Sequence, residues 1–377
     1  VTAVTTVLLA VALAGCTTEP EATTYAELGF DGTTWPDLSG QTVTILDHGA
    51  FFAFDSAAAA FQNLTNATVK QIEADDTGSA LNLAVAEAGA PTFDVLYGID
   101  NVLLRKAIVQ DVFEPYRPLL AQRIDPDLIF FDEALVGWPA TPVDHGYIAV
   151  NVDVHNDAMD NITISDLHDL RRNADLFVTQ DPRFSTPGLG FLLSTIARFG
   201  ESPDDGPYDW QDYWTDLFEG GVQVTSDWST AYEVHFSGGY GIWLEGHRGD
   251  RPIVTSYSES PAYEAFYGAE EIADVLLDDE AVFHQIQTMG IARGTPNLAA
   301  AQAWIEFTLT DAFQELAAPE NAVYPVVPAV SVNETYGGLD PIPEHRHLAK
   351  LGFEQIGRNV DRWVREWTDL CEEHDCA

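Results

Sequence analysis

Residues 180–190 read Gln-Asp-Pro-Arg-Phe-Ser-Thr-Pro-Gly-Leu-Gly and concentrate polar groups suited to holding a ligand. They lie between an apolar run that predicts a strand and a stretch of helical periodicity over 188–199. Ser185 or Thr186 can cap that helix, and Pro187 fits its first turn. The exposed N–H groups and hydroxyls of such a helix start suit an alcohol or phosphate oxygen. Taken alone, the segment indicates either a ligand site or only a well-capped helix.

Strands and helices alternate on both sides of this segment, which predicts an α/β fold. Apolar runs predict strands at 43–46, 69–72, 93–97, 176–179, 222–224 and 253–257, and helical patterns lie at 55–64, 79–87, 188–199, 229–236, 297–316 and 344–371. Two longer extended segments, 143–154 and 283–292, predict strands that cross between two lobes. The predicted organisation is a first lobe over 41–145 and 286–320, a second over 146–285, and a C-terminal helical segment over 321–377 that packs on both lobes. Such lobes hinge around a cleft that holds the ligand.

Further blocks of sequence extend the pattern over nearly the whole chain after about residue 42. They are Gly98-Ile99-Asp100-Asn101, Asp144-His145-Gly146-Tyr147, Trp228-Ser229 with Ala231-Tyr232, Ser256-Tyr257-Ser258 with Ser260-Pro261-Ala262-Tyr263, Tyr324-Pro325-Val326, and Trp363 with Glu366-Trp367. Together with residues 180–190, these blocks resemble the thiamine-binding receptors of bacterial ABC importers. The resemblance implies a type II, two-lobe periplasmic-binding-protein-like fold with the ligand between the lobes. It implies a binding protein without catalytic residues, metal or cofactor.

The resemblance also implies which residues hold the ligand. They are Asp76, Thr77, Ser185, Thr186, Trp228, Tyr257, Ser258, Glu259, Ser260 and Tyr263, together with His48. Tryptophan and tyrosine faces attract a cationic or heteroaromatic ring, and a carboxylate stays ionised beside a fixed positive charge. The implied ligand is thiamine or one of its phosphate esters, which a monomeric receptor delivers to an ABC permease in the membrane.

Two positions depart from the family pattern. His48 stands where a clamp tyrosine is expected after the first strand, and Ala322 stands where a tryptophan is expected before Tyr324. A histidine can stack on a ring, but its protonated form would oppose a cationic ligand. Phe51 or Phe52 is the alternative source of the missing aromatic face. Thiamine phosphates and a pyrimidine precursor therefore remain alternative ligands.

The charge of the chain is strongly one-sided, with 60 acidic and 17 basic residues and a formal net charge of −43. Such a surface repels nucleic acid and anionic lipid headgroups. The excess of carboxylates fits either an electrostatic trap for cations or a protein that stays hydrated in concentrated salt. We expect the melting temperature to rise in molar KCl, because salt screens the self-repulsion of the folded chain. A melting temperature that is equal in low and high salt would contradict the halophilic interpretation.

The apolar run over residues 7–16 is too short to span a bilayer, and it ends in Leu13-Ala14-Gly15-Cys16. This pattern is typical of an export signal, and its end resembles the lipobox of lipoproteins, in which Cys16 carries lipid. The polar composition of residues 17–40, with little apolar periodicity, predicts a flexible tether. We therefore expect an extracytoplasmic protein anchored by lipid to the outer face of the cytoplasmic membrane. In that compartment Cys371 and Cys376 are expected to form a disulfide, with a metal site that includes His374 as the alternative.

Two other functions compete with solute capture. A ferric-ion receptor is built on a similar pair of lobes, but it uses adjacent tyrosines that this chain lacks where such ligands would lie. A secreted hydrolase would need a catalytic constellation, for which the pair Asp144-His145 and the run His345-Arg346-His347 are the candidates. Neither has the spacing of a known hydrolytic motif, and the sequence has no Gly-X-Ser-X-Gly or His-Glu-X-X-His motif. The sequence therefore favours a binding protein.

Overall fold

The computed structural model describes residues 29–201, 208–239, 249–266, 273–276, 281–330 and 351–376, without the side chains of residues 263, 265 and 266. The strands are β1 Thr42–Asp47, β2 Thr68–Glu73, β3 Val95–Asp100, β4 Phe113–Glu114, β5 Thr141–Asp153, β6 Phe177–Gln180, β7 Gln223–Thr225, β8 Ile253–Tyr257, β9 Ala273–Leu276, β10 Phe283–Ala292 and β11 Tyr324–Pro325. The α-helices are α1 Phe54–Thr65, α2 Thr77–Ala86, α3 Leu104–Val109, α4 Glu133–Val136, α5 Leu167–Arg172, α6 Thr186–Phe199, α7 Trp210–Glu219, α8 Ser260–Phe266, α9 Leu298–Thr308, α10 Asp311–Asn321 and α11 Phe353–Glu373. Short 3₁₀ turns lie at Leu119–Arg123, Pro126–Leu128, Asp157–Met159 and Ala174–Leu176, and a π-helical turn lies at Thr230–His235.

The long strands β5 and β10 connect the two lobes. The strands follow the order β2-β1-β3-β10-β5-β8-β6-β7, so β10 and β5 stand at the centre. The first half of β5 pairs with β10, and its second half pairs with β8 and β9. Lobe 1 is thus built on β1–β3 and lobe 2 on β6–β8, and β5 is buried along its whole length. The predicted type II two-lobe fold is confirmed.

The C-terminal helix α11 packs against elements of both lobes. On the lobe-2 side, the buried Trp367 meets Trp214 of α7 edge to face, with ring centroids 5.4 Å apart. The indole N–H of Trp363 donates to Glu201 Oε2 at 2.7 Å. On the lobe-1 side, Arg105 of α3 pairs with Glu354 at 3.1 Å. The four-residue spacing of the two tryptophans places both on the buried face of the helix.

Three local predictions differ from the structure. The predicted helix over 297–316 is two helices, because Thr310 is extended and its hydroxyl caps α10 by accepting from the Phe313 N–H at 3.3 Å. The predicted helix over 229–236 is the π-helical turn Thr230–His235. The described part of the predicted tether is packed on the fold: Phe30 and Leu38 are buried in the lobe-1 core, and the Leu38 N–H donates to the Thr65 carbonyl at 2.7 Å. These apolar side chains gain enough burial to order residues that the polar composition assigned to a tether.

The two ends of the chain carry the predictions on anchoring and oxidation. Cys16 and the apolar run before it lie outside the described residues. A disulfide joins Cys371 to Cys376 at the end of α11, as expected for an oxidising compartment. Among the helices within the described ranges, none combines the length and the apolar character of a membrane span.

Candidate functional site

A cavity of about 670 Å³ lies between the two lobes. Its size is within the range of small-molecule sites, roughly 300–1,000 Å³. Residues from both lobes and from the crossing strands line it: His48, Ala50, Phe52, Thr77, Tyr97, Gly146, Thr186, Trp228, Ser229, Glu233, Tyr257, Glu259, Ser260, Gln285, Gln287, Asn321, Ala322 and Val323. We call His48, Phe52, Thr77 and Tyr97 the lobe-1 wall, and Thr186, Trp228, Tyr257, Glu259 and Ser260 the lobe-2 wall.

Trp228 is held in place by protein contacts on the lobe-2 wall. Its ring stacks on Tyr232, with centroids 4.8 Å apart and planes 14° from parallel. Its indole N–H donates to Ser256 Oγ at 2.9 Å, and Ser256 is in turn 3.0 Å from Ser260 Oγ. Asp227 stabilises the π-helical turn that follows by accepting from the Thr230 N–H at 2.7 Å. One face of the indole is therefore fixed by Tyr232, and the side chain lines the cavity ready for a ligand ring.

The start of α6 brings Thr186 to the cavity. Ser185 is the N-cap of α6, but its side chain makes no capping hydrogen bond. Its hydroxyl is buried and has no hydrogen-bond partner among the described residues. The loop before it is held by Arg183, which donates to both oxygens of Asp181. The expected side-chain cap is therefore absent, and the Ser185 hydroxyl stays available for another partner.

Glu259 is a buried carboxyl group on the lobe-2 wall. It is 2% exposed and lies in the turn between β8 and α8. Oε2 accepts from Ser258 Oγ at 2.8 Å, whereas Oε1 lies against Gly146 of β5, where a Cβ atom would overlap it. Burial, with a smaller contribution from the neighbouring Asp144, raises the pKa of Glu259 to about 8. The group therefore lacks the stabilisation that a nearby cation would give its charged form.

The lobe-1 wall rests on a buried tyrosine–carboxyl pair. The Tyr97 hydroxyl donates to Asp144 Oδ2 at 2.6 Å, and Gln287 donates to Asp144 Oδ1 at 3.0 Å. Burial raises the pKa of Asp144 to about 7. His48 meets the Tyr97 ring edge to face, with centroids 5.3 Å apart. Gly98, with φ of +96°, makes room for the His48 ring, since a Cβ there would overlap it.

His48 is a neutral ring at physiological pH. Burial lowers the pKa of its imidazole to about 4, because desolvation disfavours the charged form. The repulsion that a protonated His48 would exert on a cation is therefore absent above about pH 5. His48 provides an aromatic surface to the cavity without adding charge.

The adjacent phenylalanines Phe51 and Phe52 have different environments. Phe51 is 3% exposed and packs against Tyr97, with ring centroids 4.7 Å apart. Phe52 is 65% exposed and lines the cavity. Of the two alternatives for the missing aromatic face, the geometry favours Phe52. Ala322, where a tryptophan was expected, also lines the cavity and leaves space there.

Seven of the eleven predicted ligand residues line the cavity: His48, Thr77, Thr186, Trp228, Tyr257, Glu259 and Ser260. Asp76 instead is exposed and caps α2, where it accepts from the Ser79 N–H at 2.8 Å. Ser258 is buried and bonded to Glu259, and Ser185 is buried beside Thr186. The side chain of Tyr263 lies outside the described residues.

Other lining residues were not predicted as ligand residues. Tyr97 reads as a core strand residue, and Gln285 and Gln287 lie on the crossing strand β10. Gly146 belonged to a recognised block, and its close approach to Glu259 gives that block a structural reason. Asn321 is the last residue of α10, and nothing in the neighbouring sequence distinguishes it from a surface residue. Only the closure of β5, β10 and α10 around one space brings these residues together.

The polar groups of the cavity are acidic or neutral. Glu233 and Glu259 line it, together with hydroxyl and amide side chains, whereas its described lining includes no lysine or arginine. Aromatic surfaces come from both lobes, with Phe52 and Tyr97 on one side and Trp228 and Tyr257 on the other. Two lobes joined by crossing strands, with such a cleft between them, form the fold of type II periplasmic solute-binding proteins.

Comparison with known proteins agrees with that class and with the resemblance of the sequence. The chain is 26% identical over 309 residues to the thiamine-binding periplasmic protein of Escherichia coli K12, covering 82% of this chain and 85% of the relative. It is 25% identical over 314 residues to the protein of the same name from Brucella abortus, covering 81% and 84%. No protein-family model matches the chain.

Solved structures share the fold. A periplasmic thiamin binding protein aligns with a TM-score of 0.66 at 25% identity, covering 89% of this chain and 98% of that protein. A ferric binding protein from Campylobacter jejuni aligns with a TM-score of 0.69 at 12% identity, covering 87% and 99%. The second likeness concerns the fold alone. The similarity to thiamine-binding receptors is thus confirmed, and these relatives are named as periplasmic thiamine-binding proteins.

Proposed function

We propose that this protein captures thiamine in the cleft between its lobes. The observation that carries the proposal is the lining of the cavity: five aromatic side chains, including the His48 ring, and two carboxyl groups, without lysine or arginine in its described part. Thiamine combines a flat aminopyrimidine with a permanently cationic thiazolium ring. Aromatic faces bind both rings, and carboxylates favour the cation over neutral analogues. The names of the relatives support the same ligand.

We propose free thiamine rather than its phosphate esters as the preferred ligand. A phosphate usually needs charge-assisted donors from arginine or lysine, and the described lining offers none. Glu233 would also repel it. Thr186 at the start of α6 and Ser260 are neutral groups that suit the hydroxyethyl end of thiamine. The N–H groups of α6 allow an ester to bind more weakly.

The architecture also supports delivery of the bound ligand to a membrane permease. Because β5 and β10 cross between the lobes, bending at these strands brings the two walls together around the ligand. The closed form then presents a surface that an ABC permease can recognise. We propose that lipid on Cys16 holds the receptor at the outer face of the membrane, where a monomer meets its permease.

A ferric-ion receptor is the second candidate, because ferric-binding proteins share the fold. Within the described residues, no three histidine, cysteine, aspartate or glutamate side chains converge in the way a metal ion requires. The aromatic lining favours an organic ring instead.

Calorimetry on protein that has been unfolded and refolded to remove any bound molecule tests the proposal. We expect thiamine to bind most tightly, thiamine monophosphate more weakly, and ferric citrate not at all. Mass spectrometry of what copurifies provides an independent readout. Bound iron without an organic ligand, or equal binding of thiamine and an unrelated neutral vitamin, would overturn the proposal.

A further inference from the structure

Glu259 is a buried acid whose neighbours do not explain its presence. It is 2% exposed, yet no arginine, lysine or histidine forms an ion pair with it among the described residues. One oxygen, Oε2, has the Ser258 hydroxyl at 2.8 Å, and the Tyr147 N–H lies at 3.5 Å, which is long for a hydrogen bond. Burying a carboxyl group with so few partners destabilises a fold. Such a cost is typical of a group kept for function.

The backbone of β5 gives Glu259 its position. Its Oε1 occupies the space that a side chain at residue 146 would fill, so only glycine allows the carboxyl group to lie flat against the strand. Because Glu259 lines the cavity, this placement directs a potential negative charge into the cleft between the lobes. Gly146 of the crossing strand β5 and Glu259 in the turn after β8 therefore act together: the glycine leaves the space that the carboxyl group occupies.

No lysine or arginine of the described residues faces Glu259. Asp144 and Tyr147 approach it from β5, Tyr257 from β8, and Tyr324 from β11. Beyond Tyr147 lies His284 of β10, whose ring stacks on the tyrosine with centroids 4.5 Å apart, and His284 Nε2 is 3.0 Å from His145 Nδ1. From the side of α6, the neutral Thr186 lines the same cavity. A cation that enters the cleft is therefore the natural partner for the charged form of Glu259.

Resting on the proposed function, we propose that Glu259 selects a permanently charged ring over its neutral isostere and releases a proton to solvent when that cation binds. In the ligand-free cleft the carboxyl group holds its proton, because burial raises its pKa to about 8. A thiazolium beside it favours the carboxylate, so its pKa falls on binding. The O–H bond of the acid breaks, its electrons stay on the carboxylate, and the proton leaves to buffer.

Because cation binding is coupled to proton release, affinity for the cation changes with pH in one direction. Between the lowered pKa of the complex and about pH 8, the free protein carries up to one proton more than the complex, so raising the pH favours the complex. Affinity for the cation should rise by up to about tenfold per pH unit between about pH 6 and pH 7.5, and should level off above about pH 8.5. A neutral ligand does not lower the pKa of Glu259, so its affinity should not follow this trend.

Calorimetry in two buffers of different ionisation enthalpy measures the released proton directly. The probes are thiamine and its neutral isostere in which carbon replaces the thiazolium nitrogen. For the wild type at pH 7 we expect close to one proton released with thiamine and none with the isostere. In Glu259→Gln, proton release and the pH slope should disappear, and the preference for thiamine over the isostere should fall at least about tenfold.

Two further variants separate position from charge. Glu233→Gln removes an equal charge from an exposed residue of the same cavity, and we expect weaker binding with the proton release unchanged. Gly146→Ala displaces the Glu259 carboxyl group without changing any charge, and we expect the discrimination between thiamine and the isostere to fall as it does in Glu259→Gln. Circular dichroism and melting curves verify that each variant is folded.

The outcomes separate this inference from the proposed function. Absence of thiamine binding to the wild type at every pH overturns both. Binding that releases no proton, or a proton release and pH slope in Glu259→Gln equal to those of the wild type, overturns the role of Glu259 alone and leaves thiamine capture standing. Carbon-13 spectra of the ligand-free protein give a readout without any ligand. The carboxyl resonance that Glu259→Gln removes should titrate near pH 8, and titration near its ordinary value of about 4.3 would contradict the inference.

Discussion

The two walls of the cleft differ in how far the protein itself holds their aromatic side chains. On the lobe-2 wall, Trp228 is stacked on Tyr232 and hydrogen-bonded to Ser256 before any ligand arrives. On the lobe-1 wall, Phe52 is 65% exposed and lies in the turn before α1. A side chain already ordered loses little entropy on binding, whereas an exposed one gains burial only when the lobes close. We therefore expect a ligand to dock first on lobe 2 and lobe 1 to close over it.

Trp228→Ala should have the largest effect on affinity. It removes the fixed ring on which the ligand stacks, and stacking of a ring on an aromatic side chain contributes about 1–3 kcal/mol. We expect thiamine to bind about 5- to 150-fold more weakly by calorimetry, with the fold intact by circular dichroism. Trp35→Ala, which removes a partly buried tryptophan outside the cleft, is the matched control. Unchanged affinity in Trp228→Ala would place the ligand elsewhere.

Phe52→Ala should weaken binding less and should act on closure. An aromatic contact beyond simple burial contributes about 0.5–1.5 kcal/mol, so we expect about a 2- to 13-fold loss of affinity. Small-angle scattering should show a smaller ligand-induced decrease in the radius of gyration than in the wild type. Leu135→Ala removes a side chain that is 76% exposed and lies away from the cavity, and it should change neither quantity. If Phe52→Ala closes around the ligand as fully as the wild type, Phe52 does not contribute to closure and the proposed difference between the two walls is wrong.

Ser185→Ala tests whether the lobe-2 wall has a hidden donor. Its hydroxyl is buried without a partner among the described residues, so its loss should leave the melting temperature unchanged or slightly raised. If the hydroxyl turns to the ligand, affinity should fall by about 0.5–1.5 kcal/mol, the usual contribution of one hydrogen bond. Ser194→Ala is the control in the same helix, because that hydroxyl donates to the Gly190 carbonyl at 3.1 Å. Equal affinities for wild type and Ser185→Ala would remove Ser185 from the site.

Asp76 gives the smallest expected effect, and the effect is on stability. Its side chain caps α2 on the lobe-1 side, and losing an N-cap usually costs about 1 kcal/mol. We expect Asp76→Ala to lower the melting temperature by a few degrees and Asp76→Asn to preserve it, because asparagine caps equally well. Thiamine affinity should be the same in Asp76→Asn and in the wild type. A large loss of affinity in Asp76→Asn would restore the direct contact that the sequence predicted.

The comparison of the walls also shows which parts of the site were predictable. The short sequence blocks located four residues that line the cavity, because cavity-lining and structural residues are adjacent in these blocks. The four are Thr186, Trp228, Tyr257 and Ser260. Asp76 was assigned to the ligand through the family resemblance, and a carboxylate also suits a cation. In the structure its side chain caps α2 and does not line the cavity, and the capping bond depends on a local backbone turn that sequence spacing does not specify.

The choice between Phe51 and Phe52 could not be made from composition or spacing. Adjacent residues in a turn point in different directions, and only the packing of Phe51 against Tyr97 fixes which ring is left for the cleft. The neutral state of His48 depends in the same way on its burial against Tyr97 and Gly98.

The sequence by itself determined the two-lobe plan, because hydrophobic periodicity follows directly from which faces are buried. Strands β8 and β10 lie where the apolar runs 253–257 and 283–292 predicted them, and the long strand β5 falls on the predicted crossing segment. Tertiary structure decided the chemistry of the cleft. Gly146 and Glu259 are more than a hundred positions apart, and their contact exists only because the turn after β8 folds back over β5. The charge state of a buried acid depends on every group around it, and only the assembled lobes bring those groups together.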